Sequence, residues 1–183
     1  ALAVYYLHYK KKREIIKGQD SMKGSYLGPT ISNNEIEKDL HDTEAKFYKL
    51  KEDQLIDKIA SSIIEGKAVG LMQGRMEFGP RALGNRSIIA DPRSPTMQKM
   101  LNLKVKYRES FRPFAPSVLS EHIFEWFEQK EISPYMLLVA KVKKEKCKKM
   151  SINENALFGI KKLNVLRSSI PAITHVDYSA RIQ

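Results

Sequence analysis

The sequence predicts an α/β (α+β) domain with a mixed sheet, and three observations carry that prediction. Runs with apolar residues three and four apart alternate with short apolar runs of strand character. Glycine, proline and asparagine mark most of the boundaries between them. Of 183 residues, 42% are apolar and 29% charged, a balance that supports a packed core and argues against disorder. The length suits one domain, or one domain with an appendage.

Taken in order, LAVYYLHYKKKREII (residues 2–16) reads as a helix whose basic end complements its C-terminal dipole, with Gly18 as the stop. KGQDSMKGSYLGPT (17–30) has the composition of a linker. SNNEIEKDL opens a helix, with Ser32 as cap and Glu35 closing a capping box. EDQLIDKIASSIIEG (52–66) places Leu55, Ile56, Ile59, Ile63 and Ile64 at helical spacing and ends at Gly66. AVGLMQG (68–74) is a short buried strand and SIIADP (87–92) another. SPTMQKMLNLKV (94–105) is a helix capped by Ser94, with Pro95 in its first turn and Met97, Met100 and Leu101 on one face. APSVLS (115–120) and YMLLVAKV (135–142) are strand-like. SEHIFEWFEQ (120–129) is an amphipathic helix with Ile123, Phe124 and Phe127 inward and Trp126 in the core. AITHVDYSARIQ (172–183) alternates as a strand, with Ile173, His175, Asp177, Ser179 and Arg181 on one face and Thr174, Val176 and Tyr178 on the other. No internal repeat is present.

The net charge of +11 favours anionic partners such as nucleotides, phosphates, RNA or acidic lipid. Part of the excess is local, in Lys10–Arg13 and Lys141–Lys149. Both runs read as solvated ends of elements, with an RNA-binding arm as the alternative, although neither interleaves the aromatics that nucleic-acid stacking uses. The apolar patch at the N-terminus precedes its charges, the reverse of a secretory signal. No apolar run is long enough to cross a bilayer. The lone Cys147 has no disulfide partner, so the reducing cytoplasm is the expected setting.

Two stretches carry chemistry. GRMEFGPRALGNRS (74–87) holds Arg75, Arg81 and Arg86 with a single carboxylate, Glu77, and glycines at 74, 79 and 84. Its breakers exclude a helix, and its cations exclude a buried strand. KVKYRESFRPFAPS (104–117) gathers Lys106, Arg108 and Arg112, braced by Pro113 and Pro116. If Lys106–Arg108 is extended, both side chains share a face. Arginine forks and a lysine point charge suit phosphate, and glycines let backbone amides approach an anion. Together they suggest a polyphosphate cradle. The structural alternative pairs these arginines with Glu77, Asp91 and Glu109.

GRMEFGPRALGNRSIIADPR, followed by KVKYRESFRPFAPSVL, SPYMLLVA and AITHVDYSARIQ, resembles the carboxy-terminal, YrdC-like domain of the O-carbamoyltransferases that modify nodulation factors, cephamycin precursors and aminoglycosides such as tobramycin. The resemblance extends over roughly residues 65–183. It implies a YrdC-like twisted mixed sheet flanked by helices in residues 51–183. Residues 1–18 resemble the terminal helix of a preceding ASKHA-type domain, and residues 19–50 a connector. The family continues past this point with an Asn-Thr-Ser-Phe-Asn segment that contributes to the nucleotide site. The chain is therefore expected to be a fragment, truncated at that end and inactive in isolation.

The implied reaction forms carbamoyl adenylate from ATP, with Mg, and carbamoyl phosphate. An acceptor hydroxyl then takes the carbamoyl group in a metal-bearing amino-terminal domain. Lys106 and Arg108 match the family's K-x-R signature and are expected to grip phosphates. Arg112 is expected to hold the carbamoyl end or the leaving pyrophosphate. Arg81 and Arg86 close the cradle, Asn85 and Ser87 donate to phosphate oxygens, and Arg181 joins the anion site. Arg75 either joins the cradle or orders the loop as an ion pair with Glu77. Ser87 has no adjacent base to make it a nucleophile. His175 and Asp177 are too few for a metal site and read as a satisfied polar strand. Tyr178 stands where the family usually has a small residue, which puts the local packing in question. The alternative function is a non-catalytic RNA- or nucleotide-binding module.

Overall fold

The computed structural model describes residues 2–10 and 20–183. Among them, helices and strands intermix as an α+β fold. Helix α1 (Leu2–Lys10) has no buried residue. The remainder of the expected first helix, with Lys11–Arg13 and Gly18, lies outside the described residues. Helix α2 (Asn33–Asp42) begins at the capping box read from sequence: Ser32 Oγ accepts from Glu35 N, and Glu35 Oε2 accepts from Ser32 N at 2.8 Å. Helix α3 (Glu52–Ile64) stops just before Gly66. Its apolar stripe is only partly covered. Ile59 and Ile63 are half-buried, while Leu55, Ile56 and Ile64 stay exposed, because α3 rests on a short strand rather than on a broad sheet.

That strand, β1 (Val69–Met72), pairs antiparallel with β2 (Arg86–Ile89), Val69 opposite Ile89 and Met72 opposite Arg86. The arginine-bearing glycine loop is therefore the tip of a hairpin. Helix α4 (Met97–Lys104) follows and buries Met97 and Leu101, with Met100 packed beside them. It starts from Thr96 without a side-chain cap, not from Ser94. Ser94 instead closes a turn on Asp91 O. The next helix is shorter than its sequence suggests. A 3₁₀ turn at Ser120–His122 leads into α5 (Ile123–Trp126), and Phe127 leaves the helix in an extended conformation to bridge Val142. Ile123 and Phe127 are buried, but Phe124 faces solvent with Lys143 Nζ 3.6 Å from its ring centroid.

Strand β3 (Val139–Lys141) pairs antiparallel with β4 (Ser179–Arg181), and the short helices α6 (Ile152–Asn155) and α7 (Ile160–Leu163) lie between them in sequence. Among the described residues, the strands thus form two separate antiparallel ribbons rather than one mixed sheet. The APSVLS segment adds hydrogen bonds from Val118 N to Gln183 O and from Gln183 N to Pro116 O, without becoming a strand. The core forms around β3 and β4, where Phe127, Val142, Ala180 and Ile182 meet Met97 and Leu101 of α4 and Ile170, Ala172 and Ile173. Burying side chains of this size stabilises by about 1.5–3 kcal/mol each.

The linker-like segment is tied down. Phe78 N donates to Ser25 O at 2.7 Å, Gly28 N to Met76 O at 2.9 Å, and Met76 N to Pro29 O at 2.9 Å. Tyr26 Oη adds a bond to Leu83 O at 2.7 Å. Residues 25–29 therefore form a wall of the glycine loop. This contact requires Gly28, since a Cβ there would stand 2.8 Å from Met76 O. Gly28→Ala is expected to cost about 2 kcal/mol, read as a lower urea midpoint of the full-length protein. Gly70→Ala, where the added carbon meets nothing within 4 Å, is expected not to lower it.

Candidate functional site

The glycine loop is organised by its only carboxylate. Glu77 is 6% exposed, and its Oε1 accepts from Leu83 N at 2.6 Å, Asn85 N at 2.9 Å and Arg86 N at 3.2 Å. Gly84 makes this convergence possible by adopting φ +116°, a region side chains avoid. Burial pushes the Glu77 carboxyl up, but the hydrogen bonds from the loop amides outweigh it and hold the group below its ordinary value.

Of the two alternatives for Arg75, the ion pair with Glu77 is not formed. Arg75 Nη2 instead donates to Leu27 O at 3.3 Å. Arg86 Nη1 donates to Gln73 O and Asn85 O, both at 2.8 Å, and Nη2 to Gly74 O at 3.3 Å. Asn85 Nδ2 donates to Arg75 O at 2.7 Å, and Ser87 Oγ accepts from Gly84 N at 3.0 Å. All four side chains make bonds that shape the loop. Arg81 differs: it has no hydrogen-bond partner among the described residues, and it lines a cavity of about 340 Å³ with Phe78, Leu83 and, from outside the loop, Ser25 and Tyr135.

The second cationic segment is held by a residue that sequence reasoning passed over. Asn102 on α4 is fully buried. Its Oδ1 accepts from Arg108 Nε at 2.6 Å, and its Nδ2 donates to Ser110 O at 3.1 Å and Arg112 O at 2.8 Å. Gln98 Nε2 adds bonds to Phe111 O and Arg112 O, each at 3.1 Å. The Arg108 guanidinium also lies 4.9 Å from the Phe114 ring centroid. Lys106–Arg108 is not extended, because Tyr107 between them has φ +48°. The alternation that would put both side chains on one face therefore does not apply. Lys106 is exposed and has no acid partner among the described residues. Arg112 Nε pairs with Glu109 Oε2 at 3.0 Å, with both side chains largely in solvent. Asp91 pairs with Arg93 at 2.8 Å. The structural alternative thus holds at Arg112 and fails at the loop arginines.

Gln183 links the two segments. Its Nε2 donates to Leu83 O at 2.6 Å, its backbone pairs with Pro116 and Val118, and Ser117 Oγ donates to its Oε1 at 3.4 Å. The glycine loop and the stretch following Arg112 are therefore joined through one residue, its side chain on Leu83 and its backbone on Pro116 and Val118. Arg181, two residues before it on β4, has a buried Nε with no partner among the described residues.

The residues before β4 form a turn, which corrects the long terminal strand. Tyr178 N donates to His175 O at 3.1 Å and His175 N to Ser179 O at 2.8 Å. Tyr178 sits at φ +63°, a conformation that favours glycine, and its hydroxyl donates to Lys148 O at 3.3 Å. Asp177 Oδ1 accepts from Ser179 Oγ at 2.6 Å and Ser179 N at 3.1 Å, while Lys141 Nζ donates to Asp177 O and Oδ2. The Ser179 hydroxyl is the first cause that lowers the Asp177 carboxyl, to about 2. A depressed folded value means that this turn contributes its full stability above the ordinary 3.8 and loses it as pH falls toward about 2. Acid titration followed by NMR is expected to show the Ser179 amide losing protection in that window. Among the described residues, no cluster of three or more His, Cys, Asp or Glu side chains could share a metal, and no helix is long and apolar enough to cross a membrane.

Comparison with known proteins adds a family. The model of the carbamoyltransferase C-terminus matches residues 60–183. The chain is 52% identical over 185 residues to an uncharacterized protein of Synechocystis sp., sll1178, covering all of this chain and 30% of that protein. It is 39% identical over 162 residues to nodulation protein NolO of Bradyrhizobium diazoefficiens, covering 86% of this chain and 26% of NolO. It is 34% identical over 127 residues to the 3'-hydroxymethylcephem-O-carbamoyltransferase of Amycolatopsis lactamdurans, covering 69% of this chain and 20% of that enzyme. The chain thus spans less than a third of the length of each of these relatives. It belongs to the carbamoyltransferase C-terminus family.

Proposed function

We propose that this domain forms carbamoyl adenylate from ATP and carbamoyl phosphate, as one part of a longer O-carbamoyltransferase. Carbamoyl phosphate is first hydrolysed: water takes the phosphoryl group, the P–O bond breaks, and carbamate and inorganic phosphate result. A carbamate oxygen then bonds to the α-phosphorus of ATP, and the bond to the leaving pyrophosphate breaks. The rest of the longer protein supplies the site where an acceptor hydroxyl takes the carbamoyl group. Residues 51–183 are the adenylate-forming domain, 19–50 the connector and 1–18 the end of a preceding domain. The names of the relatives point to a saccharide or a natural product as acceptor. The reducing cytoplasm is the setting.

The observation that carries this reading is the join at Gln183 between two arginine-bearing segments. Arg81 on one and Lys106 on the other are free of acid partners among the described residues. Such chemistry needs little covalent help and much fixed positive charge. Lys106 and Arg108 grip the phosphates. Arg112 leaves Glu109 to hold the carbamoyl end or the departing pyrophosphate. Arg81 closes the opposite side, and Arg75, Asn85, Arg86 and Ser87 keep the loop in shape for it. Mg enters with the ATP phosphates.

The test measures pyrophosphate release from ATP by the full-length protein. Release only with carbamoyl phosphate present is expected. No such release, together with RNA retention that falls steeply with salt, would favour a non-catalytic binding module instead.

A further inference from the structure

We infer that residues 148–167, the excursion between β3 and β4, form a docking loop for an anionic lipid surface. Phe158 and Ile160 enter the interface, and Lys148, Lys149, Lys161 and Lys162 meet the headgroup phosphates. The inference stands apart from the reaction proposed above and concerns where the longer protein works.

The loop is clamped at its base. Lys148 N donates to Arg167 O at 2.6 Å and Ser169 N to Lys146 O at 2.9 Å, and Cys147 bridges Ser168. Tyr178 Oη adds a bond to Lys148 O at 3.3 Å. Arg167 is 4% exposed. Its guanidinium donates to the carbonyls of Lys162 and Leu163 at the end of α7, groups that a helix leaves unmet. Farther out, Lys162 Nζ donates to Asn155 O at 3.1 Å, which ties α7 to the end of α6. Residues 156–161 are the tip beyond that tie, held out on a fixed base.

The loop presents apolar side chains to water. Phe158 is 93% exposed, Ile160 66%, and Ile152 on α6 89%. Gly159, between the first two, has φ +59°, a region side chains avoid. Lysines flank the tip. Lys161 and Lys162 directly follow Ile160, and Lys148 and Lys149 enter the loop at its base. None of the four is in an ion pair among the described residues. The loop's one acid, Glu154, is engaged by Ser151 N and Oγ, both at 2.8 Å. Charge and apolar exposure together fit an anionic bilayer. Its interface accepts isolated apolar side chains, and lysine stems let their ammonium groups reach the phosphates. Nucleic acid would leave Ile152 and Ile160 unused, since bases stack on rings. Three such side chains, at no more than about 200 Å² each, fall short of the roughly 800 Å² per partner that a specific protein interface buries.

The experiment sediments the full-length protein with vesicles of phosphatidylcholine alone and of phosphatidylcholine mixed with phosphatidylglycerol. Wild type is expected to bind only the mixed vesicles, less tightly as salt rises. Phe158→Ser is expected to weaken that binding by about tenfold or more. Combining Lys148→Gln, Lys149→Gln and Lys161→Gln is expected to weaken it by about a hundredfold. Thermal midpoint and pyrophosphate release in solution should stay unchanged in both. Ile64→Ser removes a comparably exposed side chain from α3 and is expected to bind as wild type. Phe158→Trp reads insertion directly, as a blue shift of emission on adding mixed vesicles that exceeds any seen in wild type. Wild type that ignores mixed vesicles would overturn the inference, and so would tip variants that bind them as wild type does. An equal loss in Ile64→Ser would also overturn it, because the binding would then be general. RNA retention lost in the lysine variant but kept in Phe158→Ser would replace the lipid with nucleic acid. Self-association of wild type that disappears in Phe158→Ser, without vesicle binding, would replace it with a second copy of the chain.

Discussion

Replacing Lys106 or Arg112 with alanine is expected to abolish pyrophosphate release driven by carbamoyl phosphate while leaving the thermal midpoint of the full-length protein unchanged. Lys106 makes no side-chain bond among the described residues, and Arg112 has only an exposed pair with Glu109. Exposed pairs of this kind contribute little to stability, so both side chains can be removed without unfolding the domain. If they hold developing charge, the loss of rate is large, about a thousandfold or more for a preorganised cation. Arg112→Lys is expected to restore little, because an ammonium cannot reproduce the planar fork. Arg108→Ala is expected to lose activity and some stability together, since its Nε satisfies the buried Asn102. Steady-state kinetics paired with thermal denaturation separates the two patterns. Full activity in Lys106→Ala, or its unfolding, would count against the assignment.

Glu77→Ala is expected to be the most destabilising of the loop substitutions. One carboxylate oxygen serves three amides of the hairpin tip, and the side chain is buried. Removing it leaves those donors unmet, a cost of about 3 kcal/mol. Urea denaturation reads the loss, and hydrogen exchange at Leu83, Asn85 and Arg86 locates it. The pH dependence has a definite sign. Because the folded Glu77 carboxyl is held below its ordinary 4.5, its contribution is complete above that value and is lost as pH falls through the depressed one. Glu77→Gln is expected to remove this dependence and keep part of the stability, since the amide oxygen still accepts. An Ala variant as stable as wild type would show that the loop is held by something else.

The features legible in the sequence are those fixed by neighbours in the chain. The Ser32–Glu35 capping box depends on residues three apart and forms as read. The apolar face of α4 is real for the same reason, whereas its start moved to Thr96 because Ser94 is engaged in the preceding turn on Asp91. Alternation misled the reading of the last segment, since it cannot register a tyrosine at φ +63°, and the expected strand became a turn and a short strand. Phe124 looked inward by helical spacing, but the helix ends too soon for that face to persist. The two cationic segments were legible as charges, and the partners that hold them were not. Composition suggested that Glu77 balances Arg75, yet its buried oxygen is bound by backbone amides that no charge count reveals. Asn102 was hidden as one polar residue in an apolar face, although a polar group at that position implied a buried partner. The bond from Gln183 to Leu83 spans a hundred residues, a separation that local reasoning does not reach.

A crystal structure of the full-length protein with a non-hydrolysable ATP analogue and Mg tests the central claim most directly. The account predicts the phosphates between the hairpin tip and the segment after α4, within hydrogen-bond reach of Lys106, Arg108 and Arg81, with Arg112 turned away from Glu109. Phosphates bound elsewhere, with Arg112 still on Glu109 and Lys106 and Arg81 in open solvent, would contradict it.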